Sequence, residues 1–133
     1  MPVLYLIRGV PGSGKSSFAE KLYWKHVVFD ILEADQYFTN SDTGEYSFNP
    51  NLLAEAHTDC QNRARMHLAK GNDIAVSNTS TTEKEVEIYR KIAEDAGAQF
   101  VSVILENRHG GENVHGVPVD KIQQMKNRFS IKL

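Results

Sequence analysis

The chain predicts an α/β domain built on a parallel sheet of about four strands. Short β-rich apolar runs alternate along it with longer stretches whose apolar residues recur at helical spacing, the pattern of successive βαβ units. No internal repeat or low-complexity linker interrupts that alternation, and 133 residues suit one domain, 1–133, with one core.

The elements follow in order. "VLYLI" (residues 3–7) reads as a buried first strand, the segment from Ser16 to about Lys25 as a helix, and "VVFDI" (27–31) as a second strand. Residues 33–48 form a polar connection studded with aromatics, too long for an ordinary turn and therefore expected to be functional. Asn49 then offers an N-cap with Pro50 at the first helical position. Leu53, Ala56, Cys60, Ala64 and Leu68 give the next helix an apolar stripe that ends at Gly71. "DIAVSN" (73–78) is a third strand, and Thr82 with Glu85 spells a capping box for a helix to about Gly97. "QFVSVILE" (99–106) is a fourth strand. The glycine-rich loop "NRHGGENVHG" (107–116) precedes Pro118, which opens a last helix through about Phe129.

Composition narrows the function. Lys plus Arg total 15 against 17 Asp plus Glu, and a net charge of −2 gives no global reason for tight binding to nucleic acid or an anionic membrane. The single cysteine, Cys60, excludes an internal disulfide and any Cys-x-x-Cys zinc spacing, and its place on the helical stripe marks it as core. No apolar run reaches the roughly 18 residues of a spanning helix, and the chain opens on a strand. A cytoplasmic protein is expected.

The chemistry starts at "GVPGSGKS", residues 9–16, which fits G-x-x-x-x-G-K-[ST] and lies between a predicted strand and a predicted helix. Gly9, Pro11, Gly12, Ser13 and Gly14 form a loop whose N–H groups turn toward phosphate oxygens, and the helix N-terminus adds partial positive charge. Lys15 is expected on the β- and γ-phosphates of ATP, Ser16 on Mg²⁺, and Ser17 in the first helical turn beside them. Asp35, in "EADQYF", falls at the carboxyl end of the second strand, where such sheets hold ligands, and a carboxylate there can take the proton of an attacking hydroxyl.

"GVPGSGKSS", "ADQYF" followed by "YSFNPNLLAEAHTDCQNRAR", "VSNTST" and "ENRHGGENVHGVPVDKIQQM" occur in that order over nearly the whole chain. In this set the chain resembles the P-loop kinase family that includes the phage-type polynucleotide 5′-kinase domain and its small stand-alone ATP-binding relatives, AAA-type and zeta-toxin-like. The resemblance implies a three-layer αβα fold with a C-terminal lid, at about residues 106–117, plus a helix. It implies ATP-dependent transfer of the γ-phosphoryl to a hydroxyl acceptor, a nucleic-acid 5′-OH or a nucleoside-like molecule, with Asp35 as general base and Arg108 as a lid arginine. Three positions depart from the pattern. Phe38 replaces an arginine expected three residues after the base, Glu112 replaces a second lid arginine, and Asn78 replaces an acidic residue at the end of strand three. The acceptor is therefore expected to be held differently; a small-metabolite kinase and a non-catalytic ATP-binding module are the alternatives.

Further residues leave two roles open. Asn78 and Thr79 either orient the acceptor or a metal-bound water, or cap the following helix. Tyr37, Phe38, Tyr46 and Phe48 either stack on a base or pack the long connection. His57, Gln61 and Arg65, four residues apart on one helix, either line an acceptor pocket or form a solvated flank. No orthodox Walker B strand follows at the usual distance, and Asp30 in "VVFD" fits only the local pattern, so Asp35 is also a candidate for metal-bound water. His109 and His115 lack a third ligand, and Lys121, Lys126 and Arg128 read as a solvated basic face.

Overall fold

The computed structural model describes residues 1–108 and 116–133. The strands are β1 (Val3–Arg8), β2 (Asp30–Leu32), β3 (Ile74–Ser77) and β4 (Gln99–Ile104). The helices are α1 (Lys15–Trp24), α2 (Leu53–Ala69), α3 (Glu83–Asp95) and α4 (Val119–Arg128). Most of the expected lid, including His109, Glu112 and His115, lies outside the described residues.

All four strands run parallel in the order β2-β3-β1-β4, with Leu4 opposite Ile74 on one side and Phe100 on the other. Side chains alternate across the central strand. Leu4 and Leu6 join Ala56, Cys60, Ala64 and Leu68 of α2 and Val86, Tyr89 and Ile92 of α3 in one buried cluster; Ile7 joins Ala19 of α1 and Ala75 in a second. Helices thus cover both faces of the sheet, the three-layer αβα arrangement of P-loop kinase-like folds. Among the described residues no helix is long and apolar enough to cross a membrane.

Local chemistry sets the element boundaries. α3 begins where the capping box was read: Thr82 Oγ1 accepts from the Glu85 N–H at 3.4 Å and the Glu85 carboxylate accepts from the Thr82 N–H at 3.3 Å. Asn49 accepts from the Asn51 N–H at 3.0 Å, so Pro50 opens a short 3₁₀ turn that runs into α2. The expected stripe holds from Ala56 to Leu68, but Leu53, in the first turn, is 42% exposed.

Strand two is shorter and later than the expected 27–31. α1 ends in a Schellman-type turn, with the Val27 N–H on the Leu22 carbonyl, the His26 N–H on the Tyr23 carbonyl, and His26 at φ 60°. This turn consumes Val27 and Val28, and the ladder starts only at Asp30. Asp30 therefore sits at the amino end of β2, level with Ile74 at the start of β3. Its oxygens meet the Ile31 N–H at 2.8 Å and His67 Nε2 at 3.2 Å, away from the loop that leaves the carboxyl end of β1.

Candidate active site

The loop between β1 and α1 has a backbone few residues tolerate. Gly12 (φ 87°) and Gly14 (φ 94°) are left-handed, and a Cβ on Gly9 would lie 2.2 Å from Ser13 Oγ. The loop is cinched by the Ser13 N–H on the Val10 carbonyl at 3.1 Å and by the Gly9 N–H on the Thr79 carbonyl at 3.3 Å. Ser13 Oγ is buried with no hydrogen-bond partner among the described residues. Lys15 folds back so that Nζ donates to the Val10 carbonyl at 3.3 Å. Burial pushes its ammonium pKa down, and the Glu33 carboxylate opposes that shift in part. Ser16 Oγ lies 3.5 Å from Glu33 Oε1. Ser17 is exposed in the first turn of α1.

Asp35 lies on a 3₁₀ turn, Ala34–Phe38, that leaves the carboxyl end of β2. Polar contacts pin this turn from several directions. Gln36 Oε1 accepts from the Glu33 N–H at 3.1 Å, and Asn78 Oδ1 accepts from the Ala34 N–H at 3.0 Å. Arg63 of α2 donates from Nη2 to the Glu33 carbonyl at 3.0 Å, from Nη1 to Gln36, and from Nε to Asp59 at 2.9 Å. The Asp35 carboxylate itself is exposed and accepts from the Tyr46 hydroxyl at 3.2 Å. Tyr46 arrives on a small hairpin in which it bridges Thr39, while Asn40 Oδ1 accepts from the Asp42 and Thr43 N–H groups. The long connection is thus a built structure whose far strand touches the candidate base.

Other expected residues fall elsewhere. Phe38 is 6% exposed, edge-on to Phe48 with ring centroids 5.1 Å apart, so it belongs to the core and is not presented to an acceptor. Tyr37 and Tyr46 stay open but their hydroxyls are engaged, by Glu55 at 3.1 Å and by Asp35. Asn78 neither caps α3 nor points free, since its carbonyl holds Ala34 and its amide nitrogen lies 3.8 Å from Cys60 Sγ. Thr79 contributes its carbonyl to Gly9, and capping falls to Thr82. His57 and Arg65 are exposed on α2, with Arg65 bonded to Asn62 at 2.9 Å. Arg108 is largely exposed and pairs with Glu106 at 2.6 Å, on the rim of a cleft of about 580 Å³. Ser13, Gly14, Ser17, Phe18, Lys21 and residues 104–108 line that cleft.

Glu33, Arg63 and Arg8 are site residues that sequence reasoning missed. Arg8, next to Gly9, is 3% exposed. It donates from Nε to the Ser80 carbonyl at 2.8 Å and from Nη2 to the Ser130 carbonyl at 2.7 Å, with its guanidinium 4.9 Å from the Phe129 ring centroid. Burial lowers its pKa from the ordinary arginine value. One signal was available for Glu33: it is the first charged residue after the apolar end of β2, level with the phosphate loop.

The donor set fits Mg·ATP. Loop N–H groups and a lysine suit polyphosphate, and the Ser16 and Glu33 oxygens are the hard donors Mg²⁺ prefers. Among the described residues no three His, Cys, Asp or Glu side chains gather as a metal cluster.

Comparison with known proteins places this geometry. Human NEDD4-binding protein 2 is 33% identical over 139 residues, which cover 96% of this chain and 8% of that protein, so the chain spans under a tenth of that relative. The structure of the Pnkp1/Rnl/Hen1 complex superposes with a TM-score of 0.66 at 16% identity, over 92% of this chain and 38% of that one. The Mycobacterium tuberculosis APS kinase CysC in complex with AMPPNP and APS superposes with a TM-score of 0.60 at 22% identity, over 92% and 67%. These likenesses are to kinase-like P-loop folds. With the AAA domain family model matching residues 4–110, the chain belongs to the AAA domain family of P-loop proteins.

Proposed function

We propose that the chain is an ATP-dependent phosphotransferase that moves the γ-phosphoryl to a hydroxyl acceptor, a nucleic-acid 5′-OH or a nucleoside-like molecule. The observation that carries this reading is the pairing of a phosphate loop with an exposed, pinned carboxylate, Asp35, on turns that leave the same end of the parallel sheet. A passive nucleotide pocket needs no such base.

In the proposed reaction the Asp35 carboxylate takes the proton of the acceptor hydroxyl. The oxygen attacks the γ-phosphorus as its bond to the β-bridging oxygen breaks, and ADP leaves. Lys15 must leave the Val10 carbonyl to meet the β- and γ-phosphates, and Arg108 can do the same from its partner Glu106. Mg²⁺, held through Ser16, would supply charge neutralisation at the phosphates. Positioning and electrostatics carry such transfers, so little covalent chemistry falls to the protein.

One observation favours a second reading. The position where the resemblance expects an acceptor-binding arginine is a core phenylalanine, Phe38, so no cation reaches an acceptor phosphate from there. A small metabolite without a phosphate suits such a site.

The test is transfer from γ-labelled ATP to 5′-hydroxyl DNA, 5′-hydroxyl RNA, nucleosides and sugars. Label on the nucleic acids or nucleosides supports the first reading, and label on sugars alone supports the second. Slow phosphate release with no labelled acceptor overturns both in favour of a nucleotide-binding module. Asp35→Asn is expected to slow transfer by about 10²–10⁴ while ATP affinity holds; full activity in that variant removes Asp35 as the base.

A further inference from the structure

A general base works when the oxygen that takes the proton is held toward the acceptor, and in many sites a third group does the holding. The turn that carries Asp35 supplies no such group. Asn78 and Arg63 bind backbone atoms at Ala34 and Glu33, and Gln36 binds the Glu33 N–H and Arg63. None of them reaches the exposed Asp35 carboxylate. Among the described residues one hydrogen bond meets it, from the Tyr46 hydroxyl to Oδ1 at 3.2 Å, which leaves Oδ2 open. A phenol keeps its proton at neutral pH, so Tyr46 is the donor. Burial and the Asp35 charge raise its pKa further.

Tyr46 is itself held in place by the hairpin of residues 39–46. The Asn40 N–H meets the Glu45 carbonyl at 2.8 Å and the Gly44 N–H meets the Asn40 carbonyl at 2.7 Å, with Gly44 left-handed at φ 73°. Asn40 Oδ1 takes the Asp42 N–H at 2.8 Å and the Thr43 N–H at 3.2 Å, so the tip is folded on its own side chain. At the base the Ser47 N–H meets the Phe38 carbonyl at 2.9 Å, and the Phe38 ring packs edge-on against Phe48. Phe38 stands where the resemblance expects an acceptor-binding arginine, and here it anchors the hairpin that delivers Tyr46.

We propose that Tyr46 is the positioning residue of the base: its hydroxyl holds Asp35 Oδ1, so that Oδ2 is the oxygen that takes the acceptor's proton. The inference rests on the reading of Asp35 as general base and goes beyond it, because it gives the hairpin a part in the reaction.

The test is steady-state transfer from γ-labelled ATP to whichever of 5′-hydroxyl DNA, 5′-hydroxyl RNA, nucleosides and sugars takes label. It compares wild type, Tyr46→Phe, Asn40→Ala, Asp35→Asn and the double variant Tyr46→Phe/Asp35→Asn. Tyr46→Phe is expected to lower kcat by about 10- to 100-fold, the scale on which misplacing a reacting group acts, with KM for ATP and for the acceptor unchanged. Replacing Tyr46 with para-aminophenylalanine, which restores a donor at the same end of the ring, recovers most of that loss. Asn40→Ala, which keeps the hydroxyl and loosens the hairpin, falls between. The double variant is no slower than Asp35→Asn alone, because Tyr46 acts through Asp35. Fluorine NMR of the full chain labelled with 3-fluorotyrosine gives a readout without turnover: the resonance that disappears in Tyr46→Phe shifts in Asp35→Ala.

An unchanged kcat in Tyr46→Phe overturns the proposal. So does a faster variant or a lower acceptor KM, which marks the hydroxyl as an obstacle that the acceptor must displace. A double variant that loses the full factor again, or a fluorine resonance indifferent to Asp35→Ala, overturns it as well. If that resonance does respond and wild type labels no acceptor, the contact stands, the reading of Asp35 as base has failed, and this inference falls with it.

Discussion

Lys15 is a cation folded into a loop whose natural counter-charge is a ligand. Its pKa is lowered by burial, so folding disfavours the protonated form. The sign of the linkage follows: the penalty on the ligand-free fold is full below the folded pKa and fades as pH climbs toward the unfolded value near 10.5. Lys15→Met, which keeps the packing stem, is expected to melt higher than wild type at neutral pH without nucleotide, with a gap that narrows in alkaline buffer. The same variant should lose the thermal shift that ATP gives wild type. Melting curves at pH 7 and pH 10 check both statements, and a lower melting temperature at pH 7 would count against a strained lysine. At this scale the sequence was informative where backbone geometry dictates the residue, as at Gly9, Gly12 and Gly14. It was less so for Phe38 and Asn78, because whether a loop side chain turns inward depends on what lies beneath it. Ala34 and Phe38 turn inward to join the cluster of Ala56 and Cys60, and Asn78 is drawn to the Ala34 N–H.

Elements were read best where their ends carry chemical punctuation. Thr82 and Glu85 announced α3, and Pro50 announced the entry to α2 to within one 3₁₀ turn. The end of α1 was hidden because His26, not glycine, takes the left-handed position, so nothing warned that Val27 and Val28 close the helix rather than start the strand. The hairpin that brings Tyr46 to Asp35 was equally opaque, being fixed by a side chain, Asn40, folding onto its own backbone. The capping box gives a clean prediction at this scale. Thr82→Ala removes the acceptor for the Glu85 N–H and should cost about 1 kcal/mol in urea unfolding. Nucleotide affinity should not change, since α3 starts beyond the phosphate loop; a loss of affinity would show that α3 and the loop are coupled.

For the whole molecule, alternation of strand and helix sufficed to foretell a parallel sheet, and parallel strands by themselves gather the loops of one end. What no local pattern revealed is the tie between chain segments far apart in sequence. Arg8 holds the Ser80 and Ser130 carbonyls, the Ser130 N–H meets the Thr81 carbonyl at 2.6 Å, and Arg128 Nε reaches Thr81 Oγ1 at 3.0 Å. Arg8→Met leaves two carbonyls without their donor and should lower stability by about 1–3 kcal/mol for a buried group left unsatisfied. Hydrogen exchange at the Ser130 amide should quicken in the same variant. Unchanged exchange would show that the tail is held without Arg8.

The clasp at Arg8 also has a mechanical meaning. Tension applied to the segment after α4 passes through the Ser130 carbonyl and the Phe129 ring into Arg8, the residue bonded to Gly9. A pull on that segment is therefore a pull on the last residue of β1 and, through the peptide bond to Gly9, on the phosphate cradle.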